Sequence, residues 1–297
     1  MHAVDDIPAL PPDQRDAWLR RIGFEQPPLP TGESLDALIG AHLIHLPFEN
    51  LNALTGRRVA IDLPAVFDKL VRHGRGGYCF ELNTLFCAGL KALGYRVTPL
   101  AARVRWNVPA QTPAGLSHML LRVEVAHESH IADVGFGGPT PGCALPLSAP
   151  AAGNTPYRLL PLPPAESGTS FHQYELAVED NTDAAAEPWR VLYRFDLTPQ
   201  PQIDYVARNW YVSTHPDSHF THGLIAARTA EDGTRLALAN AELSRRTPDG
   251  QVRREVLTSA SAVIEALAAQ FGIRIDPDLR AALAARLPQV IPGLSAH

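Results

Sequence analysis

The stretch Arg75-Gly76-Gly77-Tyr78-Cys79-Phe80-Glu81-Leu82-Asn83 decides how the rest of the chain reads. Leu82, Leu85, Phe86, Gly89, Leu90 and Leu93 continue from it at helical spacing, and Gly94 stands where a left-handed residue closes a helix. Cys79 therefore lies at or near a helix N-terminus. There the positive end of the helix dipole favours a thiolate, and the free N–H groups suit an oxyanion. Gly76 and Gly77 allow a ligand to come close to the backbone. The other two cysteines lack this setting. Cys87 falls inside the helix and Cys143 in a Pro-rich loop, and both read as small apolar residues.

A nucleophilic thiol needs a base and a group that orients the base. From Tyr95 onward the hydrophobic period shortens to two. Segments 95–106, 117–125, 129–134, 171–179 and 189–197 alternate or carry β-branched and aromatic residues, which predicts an antiparallel sheet or small barrel. A two-residue turn at Ala126-His127 sets position 118 opposite 135 and position 120 opposite 133. His118 and Asp133 then share a sheet face as diagonal neighbours, about 7–8 Å apart at Cα, within reach of an imidazole–carboxylate contact. A slip of one residue would put them on opposite faces. The residues alone leave two readings open: a Cys79-His118-Asp133 relay, or three satisfied structural polar groups.

Upstream, Leu35, Leu38, Ile39, His42 and Leu43 form one buried helix face that must end before Pro47. Asp62 is placed to cap a second helix, with Val66, Phe67, Leu70 and Val71 inward and Gly74 as its stop. The run 139–168, rich in Pro and Ala, reads as loop with short strands. Beyond residue 200 the pattern mixes. It predicts a short helix near 202–210, strand-like Tyr211-Val212-Ser213-Thr214, and strands 235–240 and 252–258 around a Thr247-Pro248-Asp249-Gly250 turn. A helix from about 259 with Gly272 as cap follows, and a last helix is opened by Asp276-Pro277. The order is helical (1–94), then β (95–200), then α/β (201–297): an α+β chain in three parts.

Composition narrows the function classes. The 297 residues include 26 basic and 31 acidic side chains, a formal charge of −5 with no basic block, so no nucleic-acid partner is expected. No run approaches the ~18 continuous apolar residues of a membrane span. The opening residues lack the charged and apolar segments of a secretory signal, and three cysteines without a CxxC pair argue against disulfides. A cytoplasmic protein with reduced thiols is the expectation. Nucleophile-elbow, Walker A, HExxH and complete GxGxxG motifs are absent. His215, His219 and His222 would converge on a metal only on a regular helix, which Pro216 disfavours, so no metal is assigned. His127-Glu128-Ser129-His130 reads as a solvated turn.

The Arg75–Asn83 stretch resembles the active-site signature of the arylamine N-acetyltransferases. Four further blocks resemble that family in order: His45-Leu46-Pro47-Phe48-Glu49-Asn50-Leu51, Ser117-His118-Met119-Leu120-Leu121, Asp133-Val134-Gly135-Phe136-Gly137, and Asn209-Trp210-Tyr211-Val212-Ser213-Thr214-His215-Pro216 through Phe220. They cover about 45–220; the last seventy or so residues match in pattern only, and the Pro-rich 139–170 stretch follows no family signature. The resemblance implies a cysteine-protease- or transglutaminase-like fold with an N-terminal helical bundle, a central antiparallel β barrel and a C-terminal α/β lid. It implies acetyl transfer from acetyl-CoA, a co-substrate and not a permanently bound cofactor, to an aromatic amine or hydrazine. Cys79 would be the acetylated nucleophile, His118 the base and Asp133 its orienter. Phe136 and Phe220 would line the acceptor pocket, and Gly115, Gly135, Gly137 and Gly138 the coenzyme A path. Arg75, Glu49 and Asn50 would tie the helical part to the sheet. A monomer or a homodimer is expected. The alternatives are an amide synthase acting on a larger acyl thioester, a thiol hydrolase or transglutaminase-like enzyme, and a non-catalytic small-molecule binder.

Overall fold

The computed structural model describes residues 7–109, 111–148, 155–164, 172–179 and 188–295. Helix α1 (Pro12–Arg21) precedes α2 (Gly32–His45), whose cap is Thr31, accepting the Ser34 N–H at 3.2 Å. As its spacing predicts, α2 stops short of Pro47. Strand β1 (Phe48–Glu49) and the short α3 (Leu51–Leu54) follow. Helix α4 (Leu63–Phe67) is capped by Asp62, which accepts the Ala65 N–H at 3.1 Å. The single helix expected up to Gly74 is interrupted, because α4 runs into a π-helical turn over Asp68–Arg72. That wider turn places Lys69 against buried carboxylates, a tertiary contact with no trace in the hydrophobic period.

Helix α5 (Cys79–Ala92) is buried along nearly its whole length and closes at Gly94, which has φ +94°. Its one internal glycine has a packing reason. A Cβ on Gly89 would sit 2.6 Å from the Trp18 ring, so the roughly 1 kcal/mol that glycine costs a helix is exchanged for close contact with α1.

Strands β2 (Arg96–Val104), β3 (Leu116–Val125), β4 (Glu128–Ala132), β5 (Leu145–Pro146), β6 (Tyr157–Leu162), β7 (Gln173–Glu179) and β8 (Trp189–Phe195) form one antiparallel sheet in the order β5-β4-β3-β2-β8-β7-β6. All seven contribute to one apolar cluster, among them Leu100, Leu120, Ile131, Leu145, Leu159, Leu176 and Phe195. The sheet therefore curls into a nearly closed barrel. Residues 149–154, 165–171 and 180–187, including parts of the expected Pro-rich loop and the expected strand start at 171, lie outside the described residues. The opposite face of β3, Met119, Leu121 and Val123, joins the helical core of Trp18, Leu38, Phe80 and Leu85. Period two thus buries β3 on both faces and docks the barrel on α5.

The remainder comprises α6 (Gln202–Thr214), α7 (His219–His222), strands β9 (Ile225–Thr229), β10 (Arg235–Ala239), β11 (Glu242–Arg246) and β12 (Val252–Val256), and helices α8 (Ala260–Ala269) and α9 (Pro277–Val290). Here the expectations need two corrections. Tyr211–Thr214 is the last turn of α6, not a strand: Tyr205, Asn209, Val212 and Ser213 are buried at helical spacing, and that packing overrides the β propensity of Val212 and Thr214. Strands β9 and β11 were not anticipated. They form an antiparallel sheet ordered β1-β9-β10-β11-β12, to which β1 contributes from far upstream through Phe48 opposite Ala227 and Glu49 opposite Ala226. Helices α8 and α9 cover this sheet through Val263, Leu267, Leu279 and Leu283. No helix among the described residues is long and apolar enough to cross a membrane.

One core residue is chemically out of place. His42 is fully buried between Phe86, at 5.0 Å between ring centroids, and Trp18, at 6.3 Å, and neither of its ring nitrogens has a hydrogen-bond partner. Burial, then the Arg21 and His45 charges, lower its pKa from 6.5 to about 3. The fold binds the neutral ring, so this site favours folding least where an unfolded histidine would be protonated. Stability should fall as pH drops below 6.5 toward about 3. Urea unfolding of His42→Leu should show a shallower acid-side loss than the wild type; parallel pH profiles would refute this account.

Candidate active site

Cys79 is the first residue of α5, with its side chain almost wholly buried. The helix start is braced from within: the Glu81 carboxylate turns back to accept the Tyr78 N–H at 3.1 Å. The Cys79 Sγ lies 3.8 Å from the Ser117 carbonyl oxygen. Ser117 itself is an extra residue in β3, because Ala102 pairs with His118 but Arg103 pairs with Leu116. Such a bulge re-aims the side chains beside it. Here the neighbour is His118.

The β3–β4 hairpin has the register that the Ala126-His127 turn requires. Leu121 pairs with Ala132 and Val125 with Glu128, the register in which 120 would stand opposite 133 and 118 opposite 135, and the ladder ends at Ala132. Ala126 and His127 have φ +50° and +72°, the positive pair of a tight hairpin turn, adopted here without glycine. His118 and Asp133 consequently meet: Nε2 lies 2.7 Å from Oδ2, with both residues 3% exposed. That leaves Nδ1 as the ring nitrogen free for the sulfur.

Asp133 is held on its other oxygen. Oδ1 accepts the Asn83 Nδ2 at 3.0 Å and the Gly135 N–H at 2.8 Å. Asn83 also donates to the Met119 carbonyl at 2.7 Å and accepts the Val134 N–H at 3.1 Å. It stands one helical turn after Cys79, so one face of α5 presents the sulfur and grips the carboxylate. Asn83 belongs to the quoted motif but carried no role in the sequence reading; its i+4 spacing from Cys79 was the available signal. Tyr193 was missed altogether. Its ring centroid lies 5.0 Å from that of His118, and its hydroxyl is buried near the Asp133 charge, which together with burial pushes its pKa up.

The electrostatics follow from these contacts. Burial alone would lower the His118 pKa, but the Asp133 charge and hydrogen bond, then a hydrogen bond with Cys79, raise it from 6.5 to about 10. Burial raises the Asp133 pKa, and the His118, Asn83 and Gly135 contacts more than reverse this, so the carboxyl is held below its ordinary range. The pair is an imidazolium and a carboxylate at neutral pH.

Of the other candidate residues, Phe136 and Gly135 touch this centre. Phe136 meets the His118 ring edge-on at 5.3 Å. Phe220 packs at 5.5 Å on Tyr78 and at 6.0 Å on Phe48. A Cβ on Gly135 would lie 2.7 Å from the Cys79 Cα, so this glycine lets the turn after β4 close onto the helix start. Gly137 packs on Phe48, and with Gly138 it lines a cleft shared with Val134, Thr140 and Arg228. Gly115 has open space around it.

Arg75, Glu49 and Asn50 join the helical part to the five-stranded sheet. Arg75 Nη2 donates to Glu49 Oε1 at 2.7 Å, and Glu49 lies in β1. The Asn50 amide donates to the Phe220 and Gly223 carbonyls and accepts the Ile225 N–H. Lys69, unforeseen, completes the network at 2.6 Å from Glu81 and 3.6 Å from Glu49.

Two variants test these arrangements. Asp133→Asn removes the larger of the influences that raise His118 and leaves burial, which lowers it, opposed by Cys79 alone. With Asp133 ionised, the wild-type imidazolium stabilises the fold fully below about pH 6.5 and loses that contribution as pH rises through about 10; acid removes it again once the carboxylate protonates. NMR titration of the imidazole should therefore place the ionisation of the variant far below that of the wild type; an unmoved titration refutes the assignment. Lys69→Met strands the buried Glu81 and should cost about 3–5 kcal/mol in urea unfolding, with Lys69→Arg milder. Equal losses would show that the charge is immaterial.

With the geometry established, relatives are informative. A family profile described as N-acetyltransferase matches residues 31–280. The arylamine N-acetyltransferase / N-hydroxyarylamine O-acetyltransferase of Salmonella typhimurium is 35% identical over 284 residues, spanning 95% of this chain and 96% of that protein. The arylamine N-acetyltransferase of Mycobacterium tuberculosis is 37% identical over 291 residues, covering 94% and 98%. The structure of the Mycobacterium marinum arylamine N-acetyltransferase in complex with CoA superposes with a TM-score of 0.83 at 35% identity, over 92% of this chain and 98% of that one. Nearly full-length similarity in both sequence and fold leaves one reading: the chain belongs to the arylamine N-acetyltransferase family and is an acyltransferase.

Proposed function

We propose that the protein transfers an acetyl group from acetyl-CoA to aromatic amines, arylhydrazines and N-hydroxyarylamines through an acetyl-Cys79 intermediate, in the cytoplasm. The observation that carries this reading is the buried 2.7 Å bond between His118 and Asp133 beside a cysteine that opens a helix. In the first half-reaction the Cys79 thiolate, paired with the His118 imidazolium, attacks the thioester carbonyl carbon. The C–S bond to coenzyme A breaks, and the leaving sulfur takes its proton from His118. On this reading the Cys79 and Phe80 N–H groups, in the first turn of α5, hold the oxyanion.

In the second half-reaction the amine nitrogen attacks the acetyl-thioester. Its proton passes to His118, and Cys79 leaves as thiolate. A weakly basic aromatic amine competes with water only where water is kept out and the ring is held in place. Phe136 and Phe220 suit that role as acceptor-pocket residues. Gly135, Gly137, Gly138 and Gly115 supply backbone without side chains along the path of the pantetheine arm. The CoA-bound Mycobacterium marinum relative supports acetyl-CoA as the donor. On this reading the enzyme acts in the metabolism of foreign aromatic amines.

Incubation with acetyl-CoA alone should release coenzyme A once per active site and leave a single acetyl group on Cys79, seen by peptide mass spectrometry. Adding an aromatic amine should discharge it. Label on Cys87 or Cys143, no label, or discharge by water as fast as by amine would overturn the scheme. Asp133→Asn should lower turnover by about 10²–10⁴-fold, since it removes the residue that orients and charges the base.

A further inference from the structure

Strand β12 is the outer edge of the five-stranded sheet. Among the described residues its one strand neighbour is β11, and all of Val252-Arg253-Arg254-Glu255-Val256 is exposed. The bonds at the two ends of the β11–β12 ladder set its parity: the Thr247 N–H donates to the Gln251 carbonyl at 3.0 Å, and the Leu257 N–H to the Ala241 carbonyl at 2.9 Å. Inward bonding alternates along an antiparallel strand, so Arg253 and Glu255 direct their main-chain groups to β11. Val252, Arg254 and Val256 direct theirs outward. An open edge of this kind is a template for another strand.

We propose that β12 is a dimer contact, pairing antiparallel with β12 of a second copy about a two-fold axis through Arg254. The segment is complementary to itself in that register. Val252 faces Val256, and Arg253 faces Glu255, twice by symmetry. Within one chain Arg253 is poorly served. It stands opposite Arg245 and has no ion-pair partner among the described residues, while Glu255 reaches Arg245 at 3.2 Å. The second copy supplies the missing carboxylate. The outward-facing residues are also the ones this register hydrogen-bonds, so 252 exchanges N–H and C=O with 256, and 254 with 254.

Neighbouring registers fail on charge. A slip of two residues one way sets Arg253 against Arg253, and the other way sets Glu255 against Glu255. At the axis two Arg254 side chains approach, but each already pairs with Glu242 of its own chain at 3.3 Å. Charged edges ordinarily keep strands apart. This one repels unrelated strands and slipped copies, yet matches its own antiparallel image.

Sedimentation velocity over a concentration series tests the contact. The wild type should approach twice the chain mass at high concentration. Arg254→Pro removes an outward N–H and spares the bonds to β11, so it should lose the dimer boundary. Glu255→Arg, a surface change, should lose it as well. The exchange Arg253→Glu/Glu255→Arg should restore it. Circular dichroism and acetyl transfer should match the wild type in all three variants, since β12 contributes nothing to the Cys79 centre. A wild type that stays monomeric throughout, a dimer that persists in either single variant, or an exchange variant that stays monomeric would each overturn the proposal. None of these outcomes bears on the acetyl-transfer reading.

Discussion

Asp133 is a carboxylate with almost no water around it, and an unpaired charge in such a place would cost several kcal/mol. Its compensation comes from three directions: an imidazole on β3, an amide on α5, and the backbone of its own turn. Satisfying it therefore locks the barrel to the helix that carries Cys79. The close fit of Gly135 against Cys79 belongs to the same constraint, because a side chain there would force apart the two layers whose contact satisfies the carboxylate. The site and the interlayer contact are one structure.

A second buried cluster stands behind the first. Burial raises the pKa of both Glu49 and Glu81. Arg75 and Lys69 reverse this at Glu49, whereas at Glu81 burial and the nearby Glu49 charge prevail over Lys69. The arrangement links four pieces of chain: β1, the π-helical turn, the glycine-rich loop and the first turn of α5. Through the Tyr78 N–H, Glu81 fixes how the chain enters α5 and hence where Cys79 begins. Through β1, Glu49 carries the same network to the five-stranded sheet, while Asn50 reaches the segment bearing Phe220. Cys79 and Phe220 thus share one polar scaffold.

How much of this was legible depended on the range of the interaction. Helix α5 and its stop at Gly94 are local, written in spacing and in one left-handed glycine. The β3–β4 register is only half legible: a period of two allows either facing, Ala126-His127 is a weak hairpin former, and what selects this register is the meeting of His118 and Asp133 that a thiol relay needs. The bulge at Ser117 was not legible, since it reflects pairing with β2 and no residue type announces it. Strand β1 was illegible for a similar reason. Two residues carry no period, and their partner Ala226-Ala227 lies far downstream. The last turn of α6 was misread because Val212 and Thr214 favour strands locally, whereas burial beside Asn209 and Ser213 rewards a helix. Tyr193 stayed hidden because its importance is purely spatial: it is one aromatic in an alternating strand until β8 is placed beside β2 and brings it under His118.

That division of labour bears on chemistry. The residues that make the reactive centre are set by buried, mutually dependent contacts, so few substitutions there leave the charge on Asp133 satisfied. Phe136 and Phe220 are different: each is only partly buried, Phe136 meets His118 and Phe220 meets Tyr78 through ring contacts, and neither side chain donates a hydrogen bond. Exchanging them for other apolar side chains would, on the proposed mechanism, alter the shape offered to an acceptor while the His118–Asp133 hydrogen bond keeps both its partners. On the proposed mechanism, acceptor choice can therefore drift while acyl transfer through Cys79 is retained, because the two properties rest on contacts that do not share an energetic constraint.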